Sequence, residues 1–282
     1  MVQLPSRFEK HIEINNNSAV AVDLLSLETG LSKQQIKQIM QKGAVWLTKG
    51  KKTQRLRRAK RALQAGEILH LYYDLKVLNA EPPEPELISD EGAYSVWNKP
   101  FGMLSQGSKW GDHCTITRWA EQHLQPQRVS FVVHRLDRAA NGLIIVAHEK
   151  NAAAALSGLF QQRLIDKRYR VQVHGKFDDR AVRVATDIDG RSAISNFILK
   201  SYDGTADRSM LEVKIETGRK HQIRRHLLSI GYPIVGDRLY GVEVDEEDLQ
   251  LTAWYLGFHC PLSDTDKHFD LFKSSHIDRR SQ

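Results

Sequence analysis

The chain has 282 residues, of which 41% are hydrophobic and 27% charged, a globular composition that excludes wholesale disorder. Lys and Arg total 41 against 34 Asp and Glu, and the resulting net charge of +7 favours a polyanionic partner such as nucleic acid. The two cysteines form no CxxC pair, which argues against a disulfide framework or a thiolate zinc site. No apolar run approaches the roughly 20 residues of a membrane span. We expect a soluble cytoplasmic protein.

The N-terminal region carries clear helix and strand signals. Ser32 and Gln35 form a capping-box pattern, apolar residues follow at helical spacing, and Gly43 is a suitable helix stop. Residues 45–48 and 67–73 alternate in the manner of strands. These patterns predict a helix followed by two strands.

Between these two strands lies a basic run. Residues 49–61 contain eight Lys or Arg and no acid, and the preceding helix adds Lys33 and Lys37. A solvated surface loop is one interpretation, and a phosphate-binding patch is the other. The order of helices, strand, basic segment and strand resembles the S4 RNA-binding module, with residues 66–69 as its turn into the last strand. The candidate RNA contacts are Lys33, Lys37, Arg55, Arg57, Arg58 and Arg61.

A proline-rich acidic segment follows the N-terminal region. Three prolines among acids at residues 79–86 cannot sustain a helix or a central strand, which predicts a stiff, extended linker. The predicted domains are therefore 1–78, an S4-like RNA-binding module, and 91–282, the larger domain. Residues 79–90 are the predicted linker.

The larger region mixes strands with fewer helices. Strands are predicted at residues 94–98, 143–147, 169–173 and 210–215, and helices at 149–165 and 219–230. Because strands and helices do not alternate one for one, the pattern favours an α+β fold with a mixed, largely antiparallel sheet over a doubly wound parallel one.

Two segments of the larger region carry candidate chemistry. At 132–147, apolar strands flank a short polar loop that presents Arg135 and Asp137, an arrangement that also suits an ordinary ion pair closing a turn. At 217–227, four cations and two histidines follow Gly218. A zinc site at His221 and His226 fails, because residues five apart point to different sides of a helix. A phosphate-facing helix start is favoured instead.

These segments resemble the signature of the RluA family of pseudouridine synthases. The sequence HRLD at 134–137, followed by GLIIVA at 142–147, is similar to the family's catalytic motif. Further similarities follow in the family's order and together span residues 94 to about 260. They are NKPFGM at 98–103, KRY at 167–169 with VHG at 173–175, TGRKHQIR at 217–224 and GYPIVGDRLYG at 231–241.

The resemblance implies an enzyme that isomerises uridine to pseudouridine in RNA without a cofactor or metal. It implies that Asp137 is the catalytic carboxylate, that Arg224 keeps it ionised, and that Tyr169 stacks on the flipped uracil and assists the final deprotonation. Arg135 would fill the vacated base position or bind a neighbouring phosphate, and His134 and Arg219 are further candidate substrate contacts.

The sequence departs from the family pattern in two places. Ala140 and Asn141 stand where the family commonly has Thr-Ser, and Thr252 stands in a segment that usually reads Leu-His-Ala. Neither departure changes the catalytic residue types, but both leave substrate identity and loop geometry open.

Several alternatives remain. A non-catalytic RNA-binding protein is disfavoured by the intact set of Asp137, Tyr169 and Arg224. A metal-dependent nucleotide hydrolase lacks the additional carboxylates that a magnesium site needs. Asp137 could attack C1′ or remove a ribose proton. We expect a monomer that acts on structured RNA, ribosomal RNA being favoured over transfer RNA, with no membrane partner.

Overall fold

The computed structural model describes residues 5–17, 19–177, 181–242 and 245–273. The chain forms two compact units. The N-terminal unit comprises Met1–Pro82 with Gln106–Trp119, and the C-terminal unit comprises Pro83–Ser105 with Ala120–Gln282. The chain therefore leaves the C-terminal unit after Ser105 and returns to it at Ala120.

The N-terminal unit is a four-stranded antiparallel sheet with three short helices, in the strand order β1-β4-β2-β3. Its elements are β1 (Arg7–Glu13), α1 (Ala21–Thr29), α2 (Lys33–Gln41), β2 (Val45–Lys49), β3 (Lys52–Arg55), β4 (Ile68–Asp74) and α3 (Leu75–Leu78). The segment 106–119 joins this unit and contains the start of α4 (Ile116–His123).

The predicted capping box is present. Ser32 accepts a hydrogen bond from the Gln35 amide, and the Gln35 side chain accepts one from the Ser32 amide. The apolar residues that follow at helical spacing, Ile36, Ile39 and Met40, are buried in the core of the unit. Gly43 turns the chain into β2 with a φ of 79°, where a side chain would be strained. The two strands predicted here are confirmed as β2 and β4, and β3 lies in the basic run between them.

The C-terminal unit is built on a ten-stranded sheet in the order β10-β11-β12-β9-β13-β8-β6-β5, with β14 beside β13 and β7 beside β8. Its strands are β5 (Glu86–Asp90), β6 (Tyr94–Lys99), β7 (Phe131–Val132), β8 (Asn141–Ala147), β9 (Asp166–His174), β10 (Val182–Val184), β11 (Ser195–Asp203), β12 (Arg208–Ile215), β13 (Leu251–Cys260) and β14 (Thr265–Asp270). Its two further helices are α5 (Lys150–Gln162) and α6 (Gln222–Ser229).

The predicted α+β fold with a largely antiparallel sheet is confirmed. Among the paired strands of the described ranges, only β8 and β13 run parallel, and they do so over two residue pairs. Helix α5 packs with Ala152 and Leu156 against apolar side chains of β6, β8 and β13 to form the core on one face of the sheet. Among the described residues, no helix combines the length and apolar character of a membrane span.

The chain divides differently from the expected domain boundaries. Residues 79–90 are not simply a linker, because 86–90 form the edge strand β5, whose Ile88 packs against the core of the C-terminal unit. Residues 106–119, expected in the larger domain, belong to the N-terminal unit, where the Asp112 amide donates to the Lys42 carbonyl at 3.0 Å. The similarity to the S4 module stays a prediction.

Helix α6 begins at Gln222, three residues later than the sequence predicts. The Gln222 side chain folds back to accept hydrogen bonds from the Thr217 hydroxyl (2.7 Å) and the Arg219 amide (3.0 Å). His221 then takes a left-handed conformation, with φ 55°, at the helix N-cap. Arg219 and Lys220 therefore lie in the turn before the helix and not in its first turn.

Candidate active site

Asp137 lies in the loop that connects β7 to β8. The loop has no regular secondary structure apart from a turn at 138–139, which the Ala140 amide closes by donating to the Asp137 carbonyl at 3.2 Å. The Asp137 side chain is 29% exposed, so the carboxylate is open to a ligand while its backbone is held.

A second segment, residues 99–105, fixes the Asp137 loop from one side. The Ser105 hydroxyl donates to the Leu136 carbonyl at 2.8 Å and accepts from the Leu136 amide at 3.0 Å. Gly102 donates its amide to the Arg138 carbonyl at 2.9 Å and accepts from the Arg138 guanidinium at 3.2 Å. The residues on both sides of Asp137 are thus tied to the same segment.

Lys99 places a buried cation in this support. Its side chain is fully buried, and its ammonium donates to the carbonyls of Pro100 (3.0 Å), Met103 (3.0 Å) and Ala140 (2.7 Å). Burial lowers the pKa of Lys99 to about 7, and the negative charge of Asp137 works against that fall. The three carbonyl oxygens replace the water that the ammonium loses, so Lys99 joins the 100–103 turn to the end of the Asp137 loop.

Arg224, on α6, connects Asp137 to a second carboxylate. Its Nη1 lies 3.8 Å from Asp137, while Nε and Nη2 donate to Asp237 at 2.7 and 2.6 Å. Burial opposes ionisation of Asp237, but hydrogen bonds from Arg224 and from the Leu239 and Tyr240 amides outweigh it and lower its pKa. Because both side chains of this bidentate pair are buried, the direction of the guanidinium is fixed.

His221 and Tyr240 form the wall of an open cleft beside Asp137. His221 Nε2 lies 3.9 Å from Asp137, and its Nδ1 lies 3.1 Å from the Tyr240 hydroxyl. Burial lowers the pKa of His221, against the charge of Asp137. The cleft has a volume of about 370 Å³ and is otherwise lined by Asp189, Lys220 and Arg225. It is a polar cavity that is lined by two cations and one carboxylate, and Arg225 pairs with that carboxylate at 3.0 Å.

Tyr169 lies on β9 with its side chain buried. Burial, and after it the charge of Asp137, raises the pKa of the Tyr169 hydroxyl, so the phenol stays protonated. Tyr169 pairs with Ala253 of β13, and Ala253 pairs with Gly142 of β8, the strand that follows the Asp137 loop. The structure thus brings together Asp137, Tyr169 and Arg224, which are far apart in the sequence.

Comparisons with known proteins bear on the family to which the chain belongs. The profile of the family described as RNA pseudouridylate synthase matches residues 93–229. An uncharacterised RNA pseudouridine synthase of Chloroflexus aurantiacus is 31% identical over 257 residues, which cover 83% of this chain and 79% of that protein. The dual-specificity RNA pseudouridine synthase RluA of Vibrio parahaemolyticus is 31% identical over 205 residues, which cover 64% of this chain and 80% of that protein.

The chain belongs to the RluA family of RNA pseudouridine synthases. It is therefore an isomerase that converts uridine in RNA to pseudouridine. Its fold is similar to that of human RNA pseudouridylate synthase domain containing 1, with a TM-score of 0.57 at 20% identity over 67% of this chain and 85% of that one.

Three other residues predicted in the synthase site have different surroundings. His134 stacks on Phe160 with ring centroids 4.1 Å apart and accepts a hydrogen bond from the Ile145 amide at 3.0 Å. Burial lowers the pKa of His134 well below its usual value, so the ring is neutral and bound to the scaffold. Arg219 donates to the Ser192 carbonyl at 3.0 Å. Arg135 is exposed and, within the described ranges, makes no side-chain hydrogen bond or ion pair.

The cations predicted to bind RNA in the N-terminal unit fall into two groups. Arg55 and Arg57 both form ion pairs with Asp112, and each also donates to a backbone carbonyl of the unit. Arg61 forms an ion pair with the buried Glu67 at 3.1 Å. These three guanidinium groups hold the basic segment to its own unit through their ion pairs with Asp112 and Glu67.

The second group faces solvent. Arg58 and Lys37 are exposed and make no ion pair with any described residue, whereas the exposed Lys33 pairs with Asp23 at 2.7 Å. Lys51, Lys52 and Lys60 are also exposed. The cations left open to a polyanion are therefore a smaller set than the sequence predicts, centred on Lys51, Lys52, Arg58 and Lys60.

Sequence reasoning missed the residues that position Asp137. Lys99 lies in the motif NKPFGM, and Asp237 lies in the motif GYPIVGDRLYG. The sequence does not indicate that the Lys99 ammonium is buried or that Asp237 is the partner of Arg224. Ser105 lies two residues beyond the first motif, and its double hydrogen bond to Leu136 depends on a contact 31 residues away.

Proposed function

We propose that the synthase isomerises specific uridines in structured ribosomal RNA, with Asp137 as the nucleophile or general base. The observation that carries the proposal is the position of Asp137. Its open carboxylate lies beside a polar cleft, 3.8 Å from Nη1 of the buried Arg224. A guanidinium held in a fixed position directs the carboxylate beside it.

The reaction breaks the C1′–N1 bond, turns the base, and joins C5 to C1′ with loss of the C5 proton. No electron acceptor is needed, so a single carboxylate near the ribose meets its main demand. Asp137 would attack C1′ or remove a ribose proton. Arg224 would bind the carboxylate in both routes, since Asp237 holds the guanidinium in place.

Tyr169 and Arg135 have complementary proposed roles. The Tyr169 ring would stack on the flipped uracil, worth about 1–3 kcal/mol. Its hydroxyl would assist the final loss of the C5 proton, the role that the family resemblance implies. Arg135 is exposed two residues before Asp137, where it would fill the space that the flipped base vacates. His134 would support this loop from its contacts with Phe160 and Ile145.

The preference for ribosomal RNA rests on relatives. The ribosomal large subunit pseudouridine synthase D of Zymomonas mobilis is 25% identical over 284 residues, which cover 88% of this chain and 87% of that protein. Large-subunit ribosomal RNA and total transfer RNA, each labelled with tritium at uridine C5, would be offered to the purified protein. We expect tritium release from ribosomal RNA at the higher kcat/KM. Tritium release from transfer RNA alone would contradict the proposed preference for ribosomal RNA, but it would still show that the protein forms pseudouridine.

The N-terminal unit is proposed as an S4-like RNA clamp whose open cations set affinity. Replacing Lys51, Lys52, Arg58 and Lys60 by Gln should weaken RNA binding and flatten its salt dependence, by about 0.7–0.9 in log–log slope for each lost phosphate contact. The kcat at saturating RNA should change little, since these side chains lie outside the candidate site. Binding and turnover measured across a salt series separate the two effects.

The matched control for this prediction is Arg55→Gln/Arg57→Gln. It also removes two cations from the basic segment, but it leaves the Asp112 carboxylate without its partners. We expect it to lower the thermal stability of the protein more than it changes the salt slope. A salt slope unaltered in the four-cation variant would show that the exposed run is only a solvated loop.

A further inference from the structure

Two side chains that depart from the family pattern are hydrogen-bonded to each other. Asn141 and Thr252 lie 111 residues apart in the sequence, and the Thr252 hydroxyl donates to the Asn141 side-chain oxygen at 2.6 Å. The family pattern has a small hydroxyl residue at the first position and a larger histidine at the second. Here a larger amide stands at the first and a small hydroxyl at the second, so the sizes are exchanged while a polar pair is kept.

The pair lies where β8 and β13 meet in parallel. The junction consists of two residue pairs, Thr252 with Asn141 and Ala253 with Gly142. The backbones approach so closely here that a Cβ on Gly142 would overlap the backbone of Ala253. With so few backbone pairs, a side-chain hydrogen bond contributes a large share of what fixes the junction.

The side chains of this pair point away from the candidate site. Across the antiparallel β9–β13 pairing, Ala253 lies opposite Tyr169 and Thr252 lies opposite Arg170. Directly opposed residues share a face of a sheet, and successive residues alternate. Asn141 and Thr252 are therefore on the face opposite to Tyr169, and they act on the site through the backbone.

The backbone connection to Asp137 is short. Asn141 directly follows Ala140, whose amide donates to the Asp137 carbonyl at 3.2 Å and whose carbonyl accepts from Lys99 at 2.7 Å. We propose that Asn141 and Thr252 form a matched positioning pair that fixes the end of the Asp137 loop. The inference rests on the proposed role of Asp137. If the pair has this role, a substitution that breaks the hydrogen bond at either position alone should lower activity, and a compensating substitution at the other position should restore it.

The test is a double-mutant cycle on tritium release. Asn141→Ser shortens the side chain so that it no longer reaches Thr252, and Thr252→His places a side chain at the junction that is too large for it. Each change should lower kcat by about 10- to 100-fold, as small misplacements of a reacting group do. KM and RNA affinity should stay within about twofold, because both side chains lie on the sheet face opposite to Tyr169. The double variant Asn141→Ser/Thr252→His restores the family pattern and should recover kcat to within about threefold of wild type.

A conservative pair of variants guards against misfolding. Thr252→Ser keeps the hydroxyl and should retain activity, whereas Thr252→Val keeps the shape and should lower kcat. Thr265→Val, which breaks the exposed Ser263–Thr265 hydroxyl contact in a distant hairpin, is the control and should be neutral. Multiplicative losses in the double variant, or equal kcat for Thr252→Ser and Thr252→Val, would overturn the pairing. Activity surviving in Asp137→Asn would instead overturn the proposed role of Asp137.

Discussion

Asp137→Asn is expected to reduce pseudouridine formation below detection while RNA binding stays within about twofold of wild type. The amide has the size of the carboxylate but can neither attack C1′ nor accept a proton, and a positioned acid or base contributes up to about 10⁴-fold. The loop should keep its conformation, because Ser105 and Lys99 bind its backbone and Asp237 still holds Arg224. Single-turnover assays and filter binding measure the two quantities.

The control for this variant is Asp264→Asn. The Asp264 side chain is 98% exposed in the β13–β14 turn, where its carboxylate pairs with His259 at 2.9 Å. It should behave as wild type in both assays, which excludes a general effect of losing one carboxylate. Substantial turnover by Asp137→Asn would show that another group starts the reaction.

Arg224→Met is expected to remove activity and to destabilise the protein. The guanidinium uses two nitrogens for Asp237 and directs the third toward Asp137, so its loss leaves one buried carboxylate unpaired and the other without its cation. Breaking a buried ion pair in this way costs about 3–5 kcal/mol. Arg224→Lys should retain part of the activity and part of the stability, because it keeps the positive charge. Retention should be incomplete, because one ammonium cannot reproduce the two-nitrogen contact of the guanidinium with Asp237.

Asp237→Asn separates the two effects of Arg224. It removes the carboxylate that pairs with the buried guanidinium, but Asn can still accept one hydrogen bond and Asp137, 3.8 Å away, still offsets the cation. The guanidinium is less firmly directed, so activity should fall while stability falls less than in Arg224→Met. Urea unfolding and turnover at a temperature where all variants are folded give the comparison. If Arg224→Met were as active as wild type under those conditions, Arg224 would have a structural role alone.

The sequence predicted most of the fold because its strands and helices carry local signals. The capping box at Ser32 and the alternating strands were recognisable from short windows. Strand β5 was not, because it follows three prolines and its pairing with β6 is a tertiary effect. The assignment of residues 106–119 to the N-terminal unit also escaped prediction, since it depends on Asp112 meeting Arg55 and Arg57 more than 50 residues away.

The sequence proposed the reactive residues of the candidate site, and their roles stay a prediction, but it did not indicate the residues that hold them in place. Motif resemblance selected Asp137, Tyr169 and Arg224, which the fold brings together. The basic composition of residues 49–61 also predicted RNA contacts for Arg55, Arg57 and Arg61. Composition cannot distinguish a cation in an ion pair from a cation that faces solvent. Lys99 and Asp237 were missed for the converse reason, since a buried charge is defined by the partners that surround it.

The most direct test of the central claim is a map of pseudouridines in ribosomal and transfer RNA from cells that lack this coding sequence. The same cells would be complemented with the wild-type chain or with Asp137→Asn. We predict that specific ribosomal pseudouridines disappear on deletion, return with the wild-type chain, and stay absent with Asp137→Asn. Identical maps in all strains, or full restoration by Asp137→Asn, would contradict the account.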